Sequence, residues 1–272
     1  ESGGRAAGVG GGETRRSWEV RERGGCGPYL TECTATASGA GDSISGDKIL
    51  VLDGHVADQL IVVARTSGEV KDRDGLTLFL VAAELEGVSI VRTIMVDSRN
   101  AANISFAKVE VDAGQVIGKV DAGADILDAV FDRATAVLSA EMVGISCEVF
   151  ERTVEYLKTR QQFGAPIGSF QGLKHRAAEM FCEIELAKSV VLDALRTIDE
   201  GRPDASRVVS AAKARASDTV GLVTREGIQM HGGIGMTDEE EIGLFLKRAK
   251  AAELTFGDAA FHRDRFASLM GF

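Results

Sequence analysis

A break between two long helical patterns constrains the fold of this chain more than any other feature. Apolar residues recur at helical spacing on both sides of it, at Leu138, Met142, Ile145, Phe150, Val154 and Leu157 and again at Leu173, Ala177, Met180, Ile184, Leu186 and Val190. Between the two patterns stand Gly164, Pro166 and Gly168, which end a helix, and Ser169, which we predict to cap the next one. The spacing therefore predicts two long helices joined by a sharp turn.

Three side chains with different chemistry gather at this turn. Arg160 offers a guanidinium, Phe163 an aromatic ring and Gln171 an amide. Such a set suits an anionic, partly aromatic ligand, because a guanidinium binds phosphate or carboxylate oxygens in a planar fork. On the residues alone there is a simpler alternative, in which Arg160 is solvated and Phe163 plugs the end of a helical bundle.

The order of residues at the turn carries a family resemblance. Residues 160–164 read Arg-x-Gln-Phe-Gly, and residues 167–171 then read Ile-Gly-Ser-Phe-Gln, followed by Lys174 and His175. This stretch resembles the signature of the acyl-CoA dehydrogenases, the flavoproteins that desaturate acyl-CoA thioesters. A second stretch, residues 229–235, resembles the same family's Gln-x-x-Gly-Gly-x-Gly motif. Without the first stretch, an ordinary glycine cap at a helix end would explain the second.

The resemblance implies a cofactor, FAD, and a set of residues that hold it. In the family, Arg160, Phe163 and Gln171 reach across a subunit interface to one FAD, and a second group meets its adenosine side, namely Gln229, Gly232 and Gly233. The resemblance therefore also implies a homo- or hetero-oligomer. It further implies an acyl-CoA substrate and an electron-accepting flavoprotein as partner.

Composition excludes several other classes of protein. The chain has 272 residues, of which 44% are hydrophobic and 26% charged, as in globular proteins with a buried core. Its net charge of −10 argues against nucleic acid and against an anionic membrane surface as partners. No apolar run reaches the roughly 20 residues of a membrane-spanning helix, and no signal peptide is recognised at the start. The four cysteines lack disulfide or zinc spacing, so we expect a cytoplasmic location, with the mitochondrial matrix also open.

The chain divides by composition into three parts. Residues 1–33 mix glycine with Arg and Glu and predict a mobile, or non-native, tail. Residues 34–118 contain five β-type runs, at 48–52, 59–64, 76–81, 88–91 and 104–111, which predict a small antiparallel barrel or sandwich. Residues 119–272 predict an up-and-down four-helix bundle. We therefore expect an α+β protein that is similar to the family's middle β domain and C-terminal helical domain.

The later helices have recognisable ends. Pro203 and Asp204 suit the first turn of a third long helix that ends near Gly232, and a last helix is expected after Asp258. Between them, the acidic run 238–241 is interpreted as the first turn of a shorter helix, with basic residues 247–248 near its end. We favour this interpretation over a metal site and predict no metal.

Two departures from the family pattern lie in the first half of the chain. The family's Thr-Glu-Pro segment, which lines flavin and substrate, is not recognisable, and Leu50 and Leu52 stand where the family has an aromatic and a hydroxyl. Flavin contact through the β domain is therefore in question. The family's N-terminal helical domain also has no counterpart, so we expect a truncated dehydrogenase.

The catalytic base cannot be assigned from the sequence. Desaturation needs a carboxylate that removes the α proton of the thioester. At the two positions where the family carries this Glu, the chain has Phe256 and Ala134, with Asp132 close to the latter. Glu253, one helical turn before Gly257, is the candidate substitute. His231 and His262 have no accompanying nucleophile and are interpreted as structural.

Two functional hypotheses follow from the resemblance, and one does not depend on it. The chain is either an FAD-dependent acyl-CoA dehydrogenase with an unusual base, or a catalytically silent subunit that completes a partner's FAD site. The alternative outside the family is a helical interaction protein that carries a β domain.

Overall fold

The protein is described by a computed structural model that covers residues 15–19, 22, 29–39 and 41–272. The chain divides into two compact units, Glu1–Ala129 and Val130–Phe272. The division falls within the first helix, some residues after the predicted boundary at 118–119.

The first unit is built on one mixed sheet. Its strands are β1 (Arg16–Glu19), β2 (Thr34–Ser38), β3 (Gly41–Leu52), β4 (Gln59–Arg65), β5 (Leu76–Ala82), β6 (Val88–Ile94), β7 (Asn100–Asp112) and β8 (Val116–Ile117). All five runs predicted from the sequence lie within β3 to β7. Side chains of these strands form the unit's core, among them Ile44, Leu60, Phe79 and Ile104, which are fully buried.

The order of the strands differs from the predicted barrel. The described strands pair in the order β6-β7-β3-β2-β4-β5-β8, with β1 also on β4, and no pairing joins β6 to β8. A closed barrel requires its two edge strands to pair, so the described sheet is open. It is also not purely antiparallel, because both β1 and β2 run parallel to β4. The mixed α+β class is confirmed, and the barrel or sandwich is not.

Part of the predicted tail is ordered. Residues 1–14, 20–21 and 23–28 lie outside the described residues, but Arg16–Glu19 form β1 and pair with residues 59–62 of β4. The buried carboxylate of Glu22 lies 2.5 Å from the Lys48 ammonium and accepts hydrogen bonds from the backbone N–H groups of Glu32 and Cys33. Residues 16–19 and 22, which the sequence placed in a mobile or non-native tail, thus have distant partners in the sheet.

The second unit is helical. Its elements are α1 (Ala124–Thr159, which begins in the first unit), the short strands β9 (Gln161–Gln162) and β10 (Ala165–Pro166), α2 (Gln171–Asp199), α3 (Ala205–His231), α4 (Ile242–Leu254) and α5 (Ala259–Leu269). α3 packs against α2, α4 and α5. Its buried Ala212 and Ala216 allow close approach of the neighbouring helices. The described unit thus has three long helices and two short ones.

Three predicted helix ends can be compared with the structure. Asp258 caps α5, since its carboxylate accepts from the Phe261 N–H at 2.9 Å, as expected. Ser169 does not cap α2, because its hydroxyl donates to the Pro166 carbonyl and Phe170 takes the N-cap position. The acidic run 238–241 precedes α4 instead of forming its first turn. That interpretation was wrong because a tight turn after Thr237 delays the helix to Ile242.

Candidate functional site

The break between α1 and α2 is a two-stranded hairpin. β9 and β10 pair antiparallel through Gln162 and Ala165. The two residues between them, Phe163 and Gly164, have φ values of 55° and 81°. Two successive left-handed residues match a type I′ hairpin turn, which glycine adopts freely and phenylalanine only with strain. The turn holds Phe163 at its tip.

Phe163 does not plug the bundle. Its side chain is 92% exposed and makes an edge-on contact with the Phe170 ring, with centroids 6.1 Å apart. The simpler interpretation of the sequence, with Phe163 inside the end of the bundle, was therefore wrong. A large apolar ring held at an exposed, strained position has no packing reason within the described chain.

Arg160 is fixed by the backbone and left free at its head group. It follows the last residue of α1, its N–H donates to Tyr156 O at 2.9 Å, and its carbonyl accepts from Ile167 N–H at 2.8 Å. Among the described residues, no carboxylate forms an ion pair with its guanidinium. The head group therefore has its charge available for a ligand.

A pocket of about 390 Å³ joins the two sequence motifs within the second unit. Its lining comes from the end of α1, the hairpin and the turn after α3, and consists of Tyr156, Arg160, Gln162, Ile167, Met230, His231, Gly232, Gly233 and Ile234. Arg160 thus faces the same space as the paired glycines, although the two motifs are far apart in the chain.

Glycine stands at positions 232 and 233 for different reasons. Gly232 ends α3 with φ of 67°, and its N–H donates to the Gln229 carbonyl, so its backbone explains why glycine stands there. Gly233 has no such φ, and a Cβ at this position would meet no atom within 4 Å. The chain itself therefore does not require glycine at 233. A glycine that lines a pocket and has open space before it suits close approach of a ligand to the main chain.

An aromatic stack forms one wall of the pocket. The rings of Tyr156 and His231 lie 4.4 Å apart at 24°. His231 is buried, and its Nδ1 lies 2.7 Å from the Gly227 carbonyl. The two residues come from α1 and α3, so the stack also ties these helices together beside Arg160.

The structure brings together only part of the predicted cofactor set. Arg160, Gly232 and Gly233 line the pocket, whereas Phe163, Gln171 and Gln229 are exposed and do not. Tyr156, Gln162 and His231 also line the pocket, although the sequence predicted no site role for the first two and only a structural role for His231. Tyr156 could have been found, because it lies four residues before Arg160 and so on the same helix face.

The two positions for a catalytic Glu hold no carboxylate. Ala134 lies half-buried on α1. Phe256 packs its ring edge-on against buried Phe131, with centroids 5.9 Å apart. Nearby Asp132 is already engaged, since it forms an ion pair with Arg265 at 2.8 Å and accepts from the Ser206 hydroxyl at 2.5 Å. Glu253 lies 3.0 Å from the Lys250 ammonium.

The turn that carries Phe256 is held by two buried polar side chains. The Lys213 ammonium donates to the carbonyls of Glu253 at 2.9 Å and Gly257 at 2.6 Å. His262 is fully buried, and its Nε2 lies 2.9 Å from the Phe256 carbonyl. Burial, followed by the nearby charge of Lys213, lowers the pKa of His262 to about 4. His262 is thus uncharged at neutral pH, and its structural assignment fits these contacts.

Neither a metal cluster nor a membrane span is found in the part of the chain that the structure describes. No group of three His, Cys, Asp or Glu side chains there could hold a metal ion. None of the described helices combines the length and apolarity that crossing a membrane requires.

Comparison with known proteins identifies the family of this chain. Residues 121–270 match the family model for the C-terminal domain of acyl-CoA dehydrogenases. This chain belongs to the acyl-CoA dehydrogenase family. It is 29% identical over 242 residues to the mitochondrial short/branched chain specific acyl-CoA dehydrogenase of Rattus norvegicus. This match covers 88% of this chain and 56% of that protein. The chain therefore spans about half the length of this relative.

Two further family resemblances bear on the site. Acyl-CoA dehydrogenase IpdE2 of Mycobacterium tuberculosis is 43% identical over 122 residues, covering 44% of this chain and 36% of that protein. The solved structure described as the FAD complex of PigA matches with a TM-score of 0.89 at 26% identity, covering 94% of this chain and 67% of that one. Similarity of fold to this solved structure therefore covers more of the chain than the C-terminal domain that the family model matches.

Proposed function

We propose that this chain forms part of the FAD site of an acyl-CoA dehydrogenase, which desaturates an acyl-CoA thioester between its α and β carbons. The observation that carries the proposal is the pocket that Arg160, which pairs with no carboxylate of the described residues, lines together with Gly232 and Gly233. Bound FAD would supply the acceptor for the hydride that leaves the β carbon. The relative described as a complex with FAD supports the choice of cofactor.

The pocket residues fit the diphosphate of such a cofactor. A guanidinium binds phosphate oxygens through two parallel N–H groups, and Arg160 has no carboxylate partner among the described residues to compete for them. The open space before Gly233 would let the diphosphate approach the main chain without meeting a Cβ. Ile167, Met230 and Ile234 add apolar side chains to the walls of the pocket.

The remaining predicted residues lead us to propose an oligomer. Phe163, Gln171 and Gln229 are exposed and lie outside the pocket. In our proposal they contact the FAD of a second subunit, which would explain why a strained, 92% exposed Phe163 is kept at the hairpin tip. An acyl-CoA substrate, an electron-accepting flavoprotein as partner and a cytoplasmic location complete the proposal.

The base for the α proton is the least constrained part of the proposal. Glu253 is the first residue to test, since its carboxylate lies on the last turn of α4 and its own carbonyl is held by Lys213. Its carboxylate lies 3.0 Å from the Lys250 ammonium. In our proposal, Glu253→Gln would abolish desaturation but leave FAD binding unchanged.

A second function, the catalytically silent subunit, is favoured by one specific observation. The aromatic pair of Phe256 and Phe131 occupies one usual position of the base, and Asp132 near the other is paired with Arg265. A side-chain arrangement of this kind leaves no free carboxylate at either place. Such a subunit would complete a partner's FAD site through Arg160 and Gln171.

The visible absorption spectrum of the protein, alone and mixed with FAD, tests the proposal. We expect a flavin band shifted from that of free FAD, and its loss in Arg160→Ala. Lys158→Ala is the matched control, because it removes one positive charge two residues away without touching the pocket. Gly233→Ala should weaken FAD binding with no loss of stability, whereas Gly144→Ala, equally open on α1, should leave binding unchanged.

The outcomes separate the two functions. Bound FAD together with desaturation of an acyl-CoA supports the dehydrogenase. Bound FAD without desaturation, restored by a copurifying dehydrogenase chain, supports the silent subunit. The assignment of the pocket would be overturned if the folded protein bound no FAD. It would also be overturned if Arg160→Ala bound FAD as well as the wild-type protein.

A further inference from the structure

We propose that His231 and Tyr156 form a reading pair for the nucleotide, in which Nε2 of His231 accepts a hydrogen bond from a hydroxyl or amine of a bound nucleoside diphosphate. This inference rests on the proposed function of the pocket and adds a recognition residue to it. In this arrangement Arg160 holds the diphosphate, His231 reads the nucleoside, and Tyr156 keeps the imidazole in place.

The hydrogen bond to the backbone decides which ring nitrogen is available. Nδ1 of His231 lies 2.7 Å from the carbonyl oxygen of Gly227, one turn earlier on α3. A carbonyl oxygen can only accept, so Nδ1 carries the proton. In the uncharged imidazole Nε2 is then an acceptor, and it has no hydrogen-bond partner among the described residues. Because His231 lines the pocket, this acceptor is available to an occupant.

The stack fixes the orientation of this acceptor. Tyr156 packs on the imidazole with centroids 4.4 Å apart, and His231 is only 5% exposed. A ring held on one face by an aromatic and at one edge by a backbone hydrogen bond cannot rotate without losing both contacts. The acceptor is therefore preorganised, which lowers the entropic cost of binding.

The composition of the pocket wall indicates the class of ligand. Arg160 is the only charged side chain among the lining residues, and His231 supplies an acceptor on the opposite motif. An occupant that uses both must carry an anionic group and, beside it, a hydrogen-bond donor. A nucleoside diphosphate has both, in its phosphates and in its ribose hydroxyls or base amine, whereas inorganic pyrophosphate has the phosphates without the donors of a nucleoside.

Three substitutions separate the acceptor from the stack. His231→Phe keeps an aromatic ring against Tyr156 and removes the acceptor. His231→Gln removes the ring and can place an amide oxygen near the position of Nε2. Tyr156→Leu keeps the acceptor and removes the ring that orients it, so it should weaken the binding of ADP but not that of pyrophosphate. Thermal unfolding of each variant shows whether the loss of the Gly227 hydrogen bond has affected folding.

The experiment compares the Kd of ADP, of pyrophosphate and of FAD for the wild-type protein and these variants, by calorimetry and by flavin absorbance. For His231→Phe we expect the Kd of ADP and FAD to rise about five- to tenfold, as for the loss of one hydrogen bond, and that of pyrophosphate to stay unchanged. His231→Gln should retain most of the affinity for ADP. An equal rise for ADP and pyrophosphate, or no rise at all, would overturn the inference.

The same measurements distinguish failure of this inference from failure of the proposed function. FAD binding that is lost in Arg160→Ala but unaffected in His231→Phe supports the FAD site and refutes the reading pair. ADP binding that weakens in His231→Phe, in a protein that does not bind FAD, supports the reading pair and refutes the FAD site. If neither ADP nor FAD binds, both the reading pair and the FAD site are refuted.

Discussion

Acidification is expected to destabilise the helical unit through one buried side chain, His262. This residue on α5 is fully buried, and its Nε2 lies 2.9 Å from the Phe256 carbonyl. Phe131 stacks on its ring and Phe261 meets it edge-on, with centroids 6.2 Å and 5.1 Å away. Protonation would place a positive charge among aromatic rings and close to the Lys213 ammonium, which is also fully buried.

The sign and size of the effect follow from the pKa. Burial first, then the charges of Lys213 and Arg265, lower the pKa of His262 from 6.5 to about 4. A folded-state pKa below the unfolded one means that the unfolded chain binds the proton more readily. The contribution of neutral His262 is therefore complete above pH 6.5 and is lost as the pH falls from 6.5 towards 4. The full loss amounts to about 3 kcal/mol of unfolding free energy.

The assay is urea unfolding, followed by far-ultraviolet circular dichroism across this pH range, for the wild-type protein and His262→Gln. Glutamine can keep a donor to the Phe256 carbonyl but does not titrate. On acidification, the unfolding free energy of the wild type should therefore fall by about 3 kcal/mol relative to that of His262→Gln. His175→Gln, at an exposed position on α2, is the control and should follow the wild-type pH dependence. A constant difference between wild type and His262→Gln would refute the reasoning.

Two further substitutions test the hairpin and the buried lysine. Phe163→Asn should raise the unfolding free energy by about 1 kcal/mol, because asparagine tolerates the left-handed conformation of this turn. The same variant should bind FAD more weakly if Phe163 contacts the cofactor. Its unfolding temperature should therefore rise while its affinity for FAD falls. A stability equal to that of the wild type would argue against strain at the tip. Lys213→Met should lower the unfolding free energy by about 2–4 kcal/mol, since the carbonyls of Glu253 and Gly257 lose their donor. Urea unfolding measures this loss, and a change under about 0.5 kcal/mol, typical of surface positions, would contradict it.

Local patterns in the sequence predicted most of the secondary structure. Alternating and β-branched runs placed β3 to β7, and helical periodicity with Gly164, Pro166 and Gly168 between two patterns placed α1 and α2. These predictions succeed because burial on one face of a strand or helix repeats with the period of that element. The motifs around Arg160 and Gly232 likewise predicted the family from residue order alone.

Other features depend on partners far apart in the chain. β1 has a short, polar sequence and becomes a strand because it pairs with residues 59–62 of β4. Ser169 has the side chain of a helix cap, yet its hydroxyl finds the Pro166 carbonyl in the turn before α2. Local propensity could not decide either case, since the competing hydrogen-bond partner is set by how the chain folds back.

The sequence by itself determined the family, the positions of the major strands and helices, and the cationic and glycine motifs. Only the tertiary structure showed that Arg160, Gly232 and Gly233 share one pocket, while Phe163, Gln171 and Gln229 lie outside it. It also decided that Tyr156 and His231 stack as a wall of that pocket. The physical reason is that residue order encodes the local chemistry of each segment, whereas the pairing of side chains from α1 and α3 arises from packing of helices around a common core.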